Sequence, residues 1–140
     1  MSMPIFFQRY QNGEAVSFKR SEIATMLGSA AVMHGPNVTA IRFSDADGGE
    51  VYGVEADEFE QLSFDEGMGE KFFDALWRIA DATGAFIYWL GDGACSAVTR
   101  GDVLPHLPPD VVADVGPVKI VGSGAEIEGA IYGGDFDFDD

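Results

Sequence analysis

The chain has few basic residues. Eight Lys and Arg stand against 24 Asp and Glu among 140 residues, which gives a formal net charge of −16. Nucleic-acid affinity rests on Lys and Arg that neutralise phosphates, and anionic membrane surfaces attract basic segments. We therefore expect neither nucleic acid nor a membrane as the partner.

Cysteine and histidine are also scarce. Cys95 is the only cysteine, and His34 and His106 are the only histidines. One cysteine excludes an internal disulfide and favours a reducing compartment. These three residues lie far apart in sequence, so we predict no structural metal site and no cofactor. Cys95 lies in an apolar run typical of a buried core thiol, which argues against cysteine catalysis.

Long apolar runs are missing. The longest, Ala85 to Leu90, has the length of a strand and not of a membrane span. The first residues show no basic stretch followed by an apolar one, so we expect a cytoplasmic protein. The 46% of hydrophobic residues, with 11 Phe, supply a core. We predict one domain over 1–134 and an acidic tail over 135–140, either flexible or an edge strand.

Three pairs of strand-like segments predict hairpins, which imply antiparallel pairing. The first surrounds Asn12-Gly13, a pair that tolerates the positive φ of a tight turn. We therefore predict an α+β fold, an antiparallel sheet built from hairpins with two or three helices packed on it. The predicted strand pairs are Ile5–Tyr10 with Ala15–Lys19, Val38–Ser44 with Glu50–Glu55, and Ala85–Leu90 with Ala94–Thr99.

Three helices are predicted from apolar periodicity and capping signals. Ser21 is predicted to cap a short helix that Gly28 ends, and the strongest amphipathic pattern runs from about Met68 to Ala82. Ser123 and Glu126 form a capping box that opens the last helix. The acidic stretch from Asp57 to Glu66 is interpreted as a connector. The prolines at 105, 108 and 109 predict an extended, turn-rich connection, with room for one short helical turn after Gly101, before a short strand at Val118–Val121.

No motif in the sequence supports a catalytic assignment. The segment Val121-Gly122-Ser123-Gly124 precedes a helix as a dinucleotide loop does, but the third glycine of that fingerprint is replaced by Ile127. An alternative function stays open, namely a small enzyme or ligand-binding domain with its pocket near Tyr88, Trp89 and Asp92. Carboxylates of raised pKa converging on that pocket would favour it.

The negative charge is concentrated in two blocks that also contain aromatic residues. Ten acidic residues and no basic one lie from Phe43 to Glu70, and no Lys or Arg follows Lys119. A charge run is commonly a solvated surface, but aromatic side chains inside a charged rim are typical of binding hot spots. The predicted partner-binding residues are Asp57, Glu58, Phe59, Glu60, Phe64, Asp65, Glu66, Phe136 and Phe138.

In its small size, strong acidity and hairpin-rich plan without a catalytic constellation, the chain resembles bacterial toxin-immunity proteins. The resemblance implies a protein that binds and blocks a cognate toxin, often a basic nuclease. We therefore predict a non-catalytic interaction protein that neutralises or regulates a basic protein partner. A DNA mimic, in which carboxylates imitate the spacing of phosphates, is a special case of this hypothesis.

Overall fold

The computed structural model describes residues 4–28, 31–33, 38–44, 47–52, 57–89, 96–115 and 118–133, and the elements below belong to these ranges. Strands and helices alternate along the chain. The strands are β1 (Ile5–Gln11), β2 (Glu14–Val16), β3 (Phe18–Lys19), β4 (Ala31–Met33), β5 (Val38–Ser44), β6 (Asp47–Tyr52), β7 (Glu58–Phe59), β8 (Gln61–Met68), β9 (Ala85–Trp89), β10 (Ser96–Val98) and β11 (Lys119–Ile120). The α-helices are α1 (Arg20–Leu27), α2 (Glu70–Thr83), α3 (Pro109–Val115) and α4 (Gly124–Glu128).

Nine of these strands form one sheet, in the order β11-β10-β9-β1-β8-β6-β5-β4, with β2 also paired to β1. All of its pairs are antiparallel except β10 with β11, which is parallel. Strands β3 and β7 form a separate two-stranded ribbon. The predicted α+β fold with a mainly antiparallel sheet is therefore confirmed.

All three predicted hairpin pairings are present. In the first, Asn12 and Gly13 have φ of 52° and 83°, as the tight turn requires. The second joins β5 to β6 and the third joins β9 to β10. The turn residues 45–46 and 90–95 lie outside the described residues. Strand β4, which pairs with β5, was not predicted.

The interpretation of Asp57 to Glu66 as a connector is wrong. Most of this segment belongs to β8, which lies inside the sheet between β1 and β6. Leu62 and Phe64 are fully buried, and Ser63 between them is half-buried. This alternation of apolar and polar positions is the pattern of a strand with one buried face. The acidity of the segment concealed that pattern.

The predicted start of α1 and the predicted extended chain around Pro108 and Pro109 are wrong, whereas the short helical turn predicted after Gly101 is confirmed. Helix α1 begins at Arg20, so Ser21 lies inside it, and the Glu22 carboxylate accepts the Lys19 backbone N–H at 3.2 Å. The proline segment is helical: a 3₁₀ helix over Gly101–His106 is followed by α3. Pro109 begins α3, where a helix needs no N–H donor and proline's fixed φ is favourable.

Helix α2 confirms the strongest helical prediction and is capped by a residue distant in sequence. The Asp47 carboxylate accepts the backbone N–H groups of Lys71 and Phe72, each at 2.9 Å. Gly69, with φ of 100°, precedes the helix, and a Cβ there would lie 2.3 Å from Asp47 Cγ. A glycine is therefore needed at 69 for the cap to form. One carboxylate of the acidic block thus has a structural role.

Helix α4 is held against α2 by close backbone contact. Ser123 Oγ accepts the Glu126 N–H at 3.2 Å as predicted, whereas the Glu126 carboxylate accepts from Gly122 at 2.7 Å. A Cβ on Gly124 would lie 2.5 Å from the backbone of Phe73. The Trp77 indole N–H donates to the Val121 carbonyl at 2.9 Å. A π-helical turn, Gly129–Gly133, extends α4.

Replacing Gly124 with Ala should destabilise the protein because the added methyl group meets α2 backbone that cannot move aside. We expect the free energy of unfolding to fall by about 1–3 kcal/mol, measured by urea denaturation. Gly129→Ala is the matched control, since a Cβ there would have no neighbour within 4 Å and the φ of Gly129 is −62°. Equal stability of the two variants would contradict the close packing of α4 on α2.

Replacing Asp47 with Ala should remove the cap of α2. We expect the free energy of unfolding to fall by about 0.5–2 kcal/mol, since the N–H groups of Lys71 and Phe72 lose their acceptors. Asp47→Asn keeps one acceptor oxygen and should lose less. If urea denaturation gave the same free energy of unfolding for Asp47→Ala as for the unmodified chain, the result would contradict a stabilising cap by Asp47.

Candidate partner-binding surface

The two faces of the sheet are covered to different extents. Helix α2 packs on one face, where Phe7, Leu62, Phe64 and Ile87 are fully buried. Among the described residues, the 3₁₀ helix and α3 pack on the other face around Phe86 and Val98. The strands between β9 and β5 leave a partly exposed surface there, which we call the open face. The open face consists of Phe6, Gln8, Glu50, Tyr52, Gln61, Ser63, Asp65 and Tyr88.

The centre of the open face is a row of side chains in register across four strands. Tyr52 pairs with Ser63, Ser63 with Phe6, and Phe6 with Tyr88. At the usual spacing of strands, this row is about 14 Å long. The rings of Phe6 and Tyr88 stack with centroids 5.1 Å apart, and Tyr88 also stacks on Phe86 at 5.7 Å. The row is therefore a preformed aromatic platform.

Carboxylates lie on both sides of this platform. Glu50 and Asp65 are cross-strand partners at its β6–β8 side. Asp110 and Asp114 are exposed on α3, at its β9 side. Asp114 and Tyr88 line a cavity of about 200 Å³ together with Gln8, Tyr10, Phe86 and Val111. Acidic side chains therefore flank the aromatic row on both sides, and the exposed Arg42 of β5 lies on the same face as Glu50.

Glu50 and Asp65 place two negative charges opposite each other on β6 and β8. Like charges directly opposite each other on neighbouring strands destabilise an antiparallel pair. Glu50 accepts a hydrogen bond from the Tyr52 hydroxyl at 2.7 Å, which fixes one carboxylate beside the aromatic row.

The two tyrosines at the α3 side of the platform have altered acidities. Burial raises the pKa of Tyr10 above its ordinary value, and repulsion from the Tyr88 phenolate, once it forms, and from the Asp110 carboxylate raises it further. Burial also raises the pKa of Tyr88, although the hydrogen bond from Gln61 acts in the opposite direction. Both side chains therefore stay neutral near pH 7, and the Tyr88 hydroxyl accepts from Gln61 Nε2 at 2.5 Å.

Comparison of the chain with protein-family models, curated proteins and solved structures gave no match. Among the described residues, no helix is both long and apolar enough to cross a membrane.

The structure separates the predicted partner-binding residues. Asp57 is exposed and pairs with Arg20 at 2.9 Å, and Glu58 and Glu60 are exposed around β7. Phe59 packs against Phe18 in the β3–β7 ribbon, with ring centroids 5.9 Å apart. Of the predicted residues that the structure describes, only Asp65 belongs to the open face. The side chain of Glu66, together with Phe136 and Phe138, lies outside the described residues.

The prediction of Phe64 as a partner-binding residue is wrong. Its side chain is fully buried between the sheet and α2, with its ring 4.9 Å from that of Phe7. It is therefore a core residue and presents nothing to a partner. The aromatic side chains of the open face are instead Phe6, Tyr52 and Tyr88. Alternation in Ile5-Phe6-Phe7-Gln8 was the available signal for Phe6, because a strand with Ile5 and Phe7 buried turns Phe6 to the other face.

The fold also separates residues of the alternative pocket, which was predicted near Tyr88, Trp89 and Asp92. Tyr88 lines the small cavity beside α3, whereas Trp89 is 4% exposed and belongs to the core on the α2 face. Neighbouring residues on a strand point to opposite faces, so these two side chains cannot line one pocket. Asp92 lies outside the described residues.

The raised pKa values of Tyr10 and Tyr88 predict that these two tyrosines ionise late in an alkaline titration. In an alkaline titration followed by phenolate absorbance, Tyr10 and Tyr88 should ionise above the usual value of about 10. Tyr88→Phe should remove one late step and lower the pKa of Tyr10, because Tyr88 is one of the charges that raise it. Tyr52→Phe is the control and should leave both late steps unchanged.

The same shifts give a pH dependence of stability with a definite sign. A phenol with a raised pKa in the folded state binds its proton more tightly when folded. The stabilisation that such a phenol gives the folded state is therefore complete below about pH 10. It is lost as the pH rises through the folded-state pKa. Tyr88→Phe should show a shallower loss of stability above this pH. An identical alkaline loss in both proteins would contradict the burial of Tyr88.

Proposed function

We propose that this chain is a non-catalytic interaction protein whose open face binds a basic protein partner, specifically as an immunity protein against a bacterial toxin. The observation that carries the proposal is the aromatic row between two acidic margins, on a sheet face that α3 and the 3₁₀ helix leave partly uncovered. The partner would supply Lys or Arg side chains to the margins and cover the aromatic row.

Negative charge and aromatic contact have different roles in this proposal. The net charge of −16 attracts a basic partner over distance and accelerates its encounter. Once bound, the partner excludes water from Phe6 and Tyr88, and buried aromatic anchors supply most of the binding energy. Rim charges such as Glu58 and Glu60 then affect mainly the association rate and its salt dependence.

Two charge-reversed variants separate contact from steering. Glu50→Lys with Asp65→Lys changes the open face, whereas Glu58→Lys with Glu60→Lys changes the β7 region by the same net charge. Each variant and the unmodified chain would be immobilised and exposed to an extract of the host cells at ~20 and ~500 mM salt, between which charge steering is largely screened. Bound basic proteins would then be identified and quantified.

We expect a basic protein that binds the unmodified chain and the β7 variant but not the open-face variant. With this protein purified, Tyr88→Ala should weaken the affinity by about 30-fold, the effect of losing a hot-spot side chain of about 2 kcal/mol. If the two charge-reversed variants lost binding of this protein equally, net charge alone would be recognised. Unchanged affinity of Tyr88→Ala would remove the aromatic row from the interface.

The immunity role requires a further test in cells. A toxin encoded beside the gene for this chain would be expressed with the unmodified chain, the open-face variant or the β7 variant. We expect growth to be rescued by the unmodified chain and by the β7 variant, and not by the open-face variant. Failure of the unmodified chain to protect against the neighbouring toxin would contradict the immunity role while leaving the binding of another basic protein intact.

A further inference from the structure

A second cavity, of about 360 Å³, lies away from the centre of the open face, at the end of the sheet beside the C-terminus of α2. Two of the five arginines of this acidic chain, Arg9 and Arg100, line it together with His106. We call it the arginine cavity. Its remaining lining residues are Tyr10, Gln11, Val16, Thr83, Gly84, Asp102 and Val103.

Contacts with the protein hold both guanidinium groups in place but use only some of their N–H donors. Arg100 Nη1 donates to the Asp81 carbonyl at 2.7 Å and Nε donates to Asp102 at 3.1 Å. Arg9 Nη1 donates to the Ser17 carbonyl at 3.2 Å and lies 3.6 Å from the Glu22 carboxylate. Arg9 also lies over the Phe18 ring, 5.9 Å from its centroid. These contacts restrict the two arginines to the wall of the cavity.

Several donors of these side chains have no protein acceptor within the described ranges. They are Nη2 of Arg100 and both Nε and Nη2 of Arg9. His106 adds another donor, its Nε2–H, because its Nδ1 accepts the Asn12 N–H at 3.1 Å. The three side chains around the cavity thus combine fixed positions with unused N–H groups.

We propose that the arginine cavity binds a carboxylate group. Guanidinium groups match carboxylates with paired N–H donors, and the cavity is polar. Asp102 lines the cavity, and Glu22 and Asp81 contact the two arginines, so the three carboxylates outnumber the two guanidinium groups and an anion would be held by the unused N–H donors and not by net charge. A single negative charge therefore fits better than a phosphate dianion. This proposal involves neither the aromatic row nor the basic partner, so it stands or falls independently of the proposed function.

A carboxylate has two sources, a free small organic acid or the C-terminus of a peptide. The experiment is a titration of the ¹⁵N-labelled chain followed by amide chemical shifts. The probes are acetate, inorganic phosphate, and a neutral tripeptide with either a free or an amidated C-terminus. The variants are Arg9→Gln and Arg100→Gln, with Arg78→Gln as the control because Arg78 is exposed on α2 and outside the cavity.

We expect acetate to shift the amides of Gly84 and residues 100–106 in a saturable way, with phosphate binding more weakly. Losing one charge-assisted hydrogen-bonding group should weaken acetate binding by about tenfold or more in Arg9→Gln and Arg100→Gln, and not in Arg78→Gln. A preference for the free over the amidated tripeptide, beyond the affinity for acetate, would identify a chain terminus as the source. Equal affinity for acetate and the free tripeptide would indicate a free organic acid.

Two outcomes would overturn the proposal. One is that the unmodified chain shows no saturable shift at these amides with acetate, a result that needs no folded variant. The other is that Arg9→Gln and Arg100→Gln bind acetate as well as Arg78→Gln does. Thermal unfolding of each variant with and without acetate provides a second readout, since a ligand that binds only the folded state raises the midpoint with concentration.

Discussion

The pairing of β8 between β1 and β6 is the constraint on which the rest of the structure depends. In this register Leu62 and Phe64 enter the core beneath α2, while Gln61, Ser63 and Asp65 turn to the open face. A shift by one residue would bury Asp65 and expose Phe64, at a large cost in free energy. The requirements of the core therefore also determine which acidic side chains a partner can meet.

One sheet thus supports two surfaces with opposite character. Helix α2, capped by Asp47 and packed closely against Gly124, covers the apolar face. Among the described residues, the smaller cluster around Phe86 and Leu107 packs on the β9–β10 side of the other face. In the aromatic row, Phe6 and Tyr88 are already stacked and in register. Little ordering would be needed on binding, and preorganisation of this kind favours affinity.

Local signals in the sequence predicted the fold class, the three hairpins and α2, because turns, caps and apolar periodicity act over a few residues. The placement of β8 depended on pairing with strands distant in sequence, so the acidic composition of Asp57 to Glu66 was misleading. The carboxylates of Glu50 and Asp65 meet only through that pairing. Phe6 and Tyr88 form a platform for the same reason, and Arg9 and Arg100 come from segments more than 80 residues apart.

The most direct measurement of the central claim is site-specific photo-crosslinking in the host cell. A photoreactive phenylalanine analogue would replace Phe6, in the aromatic row, and in a second protein Arg78, which is exposed on α2. The account predicts that position 6 crosslinks to a basic protein and that position 78 does not. The crosslink should disappear when Glu50 and Asp65 are both replaced by Lys. Equal crosslinking from both positions, or a partner that is not basic, would contradict the account.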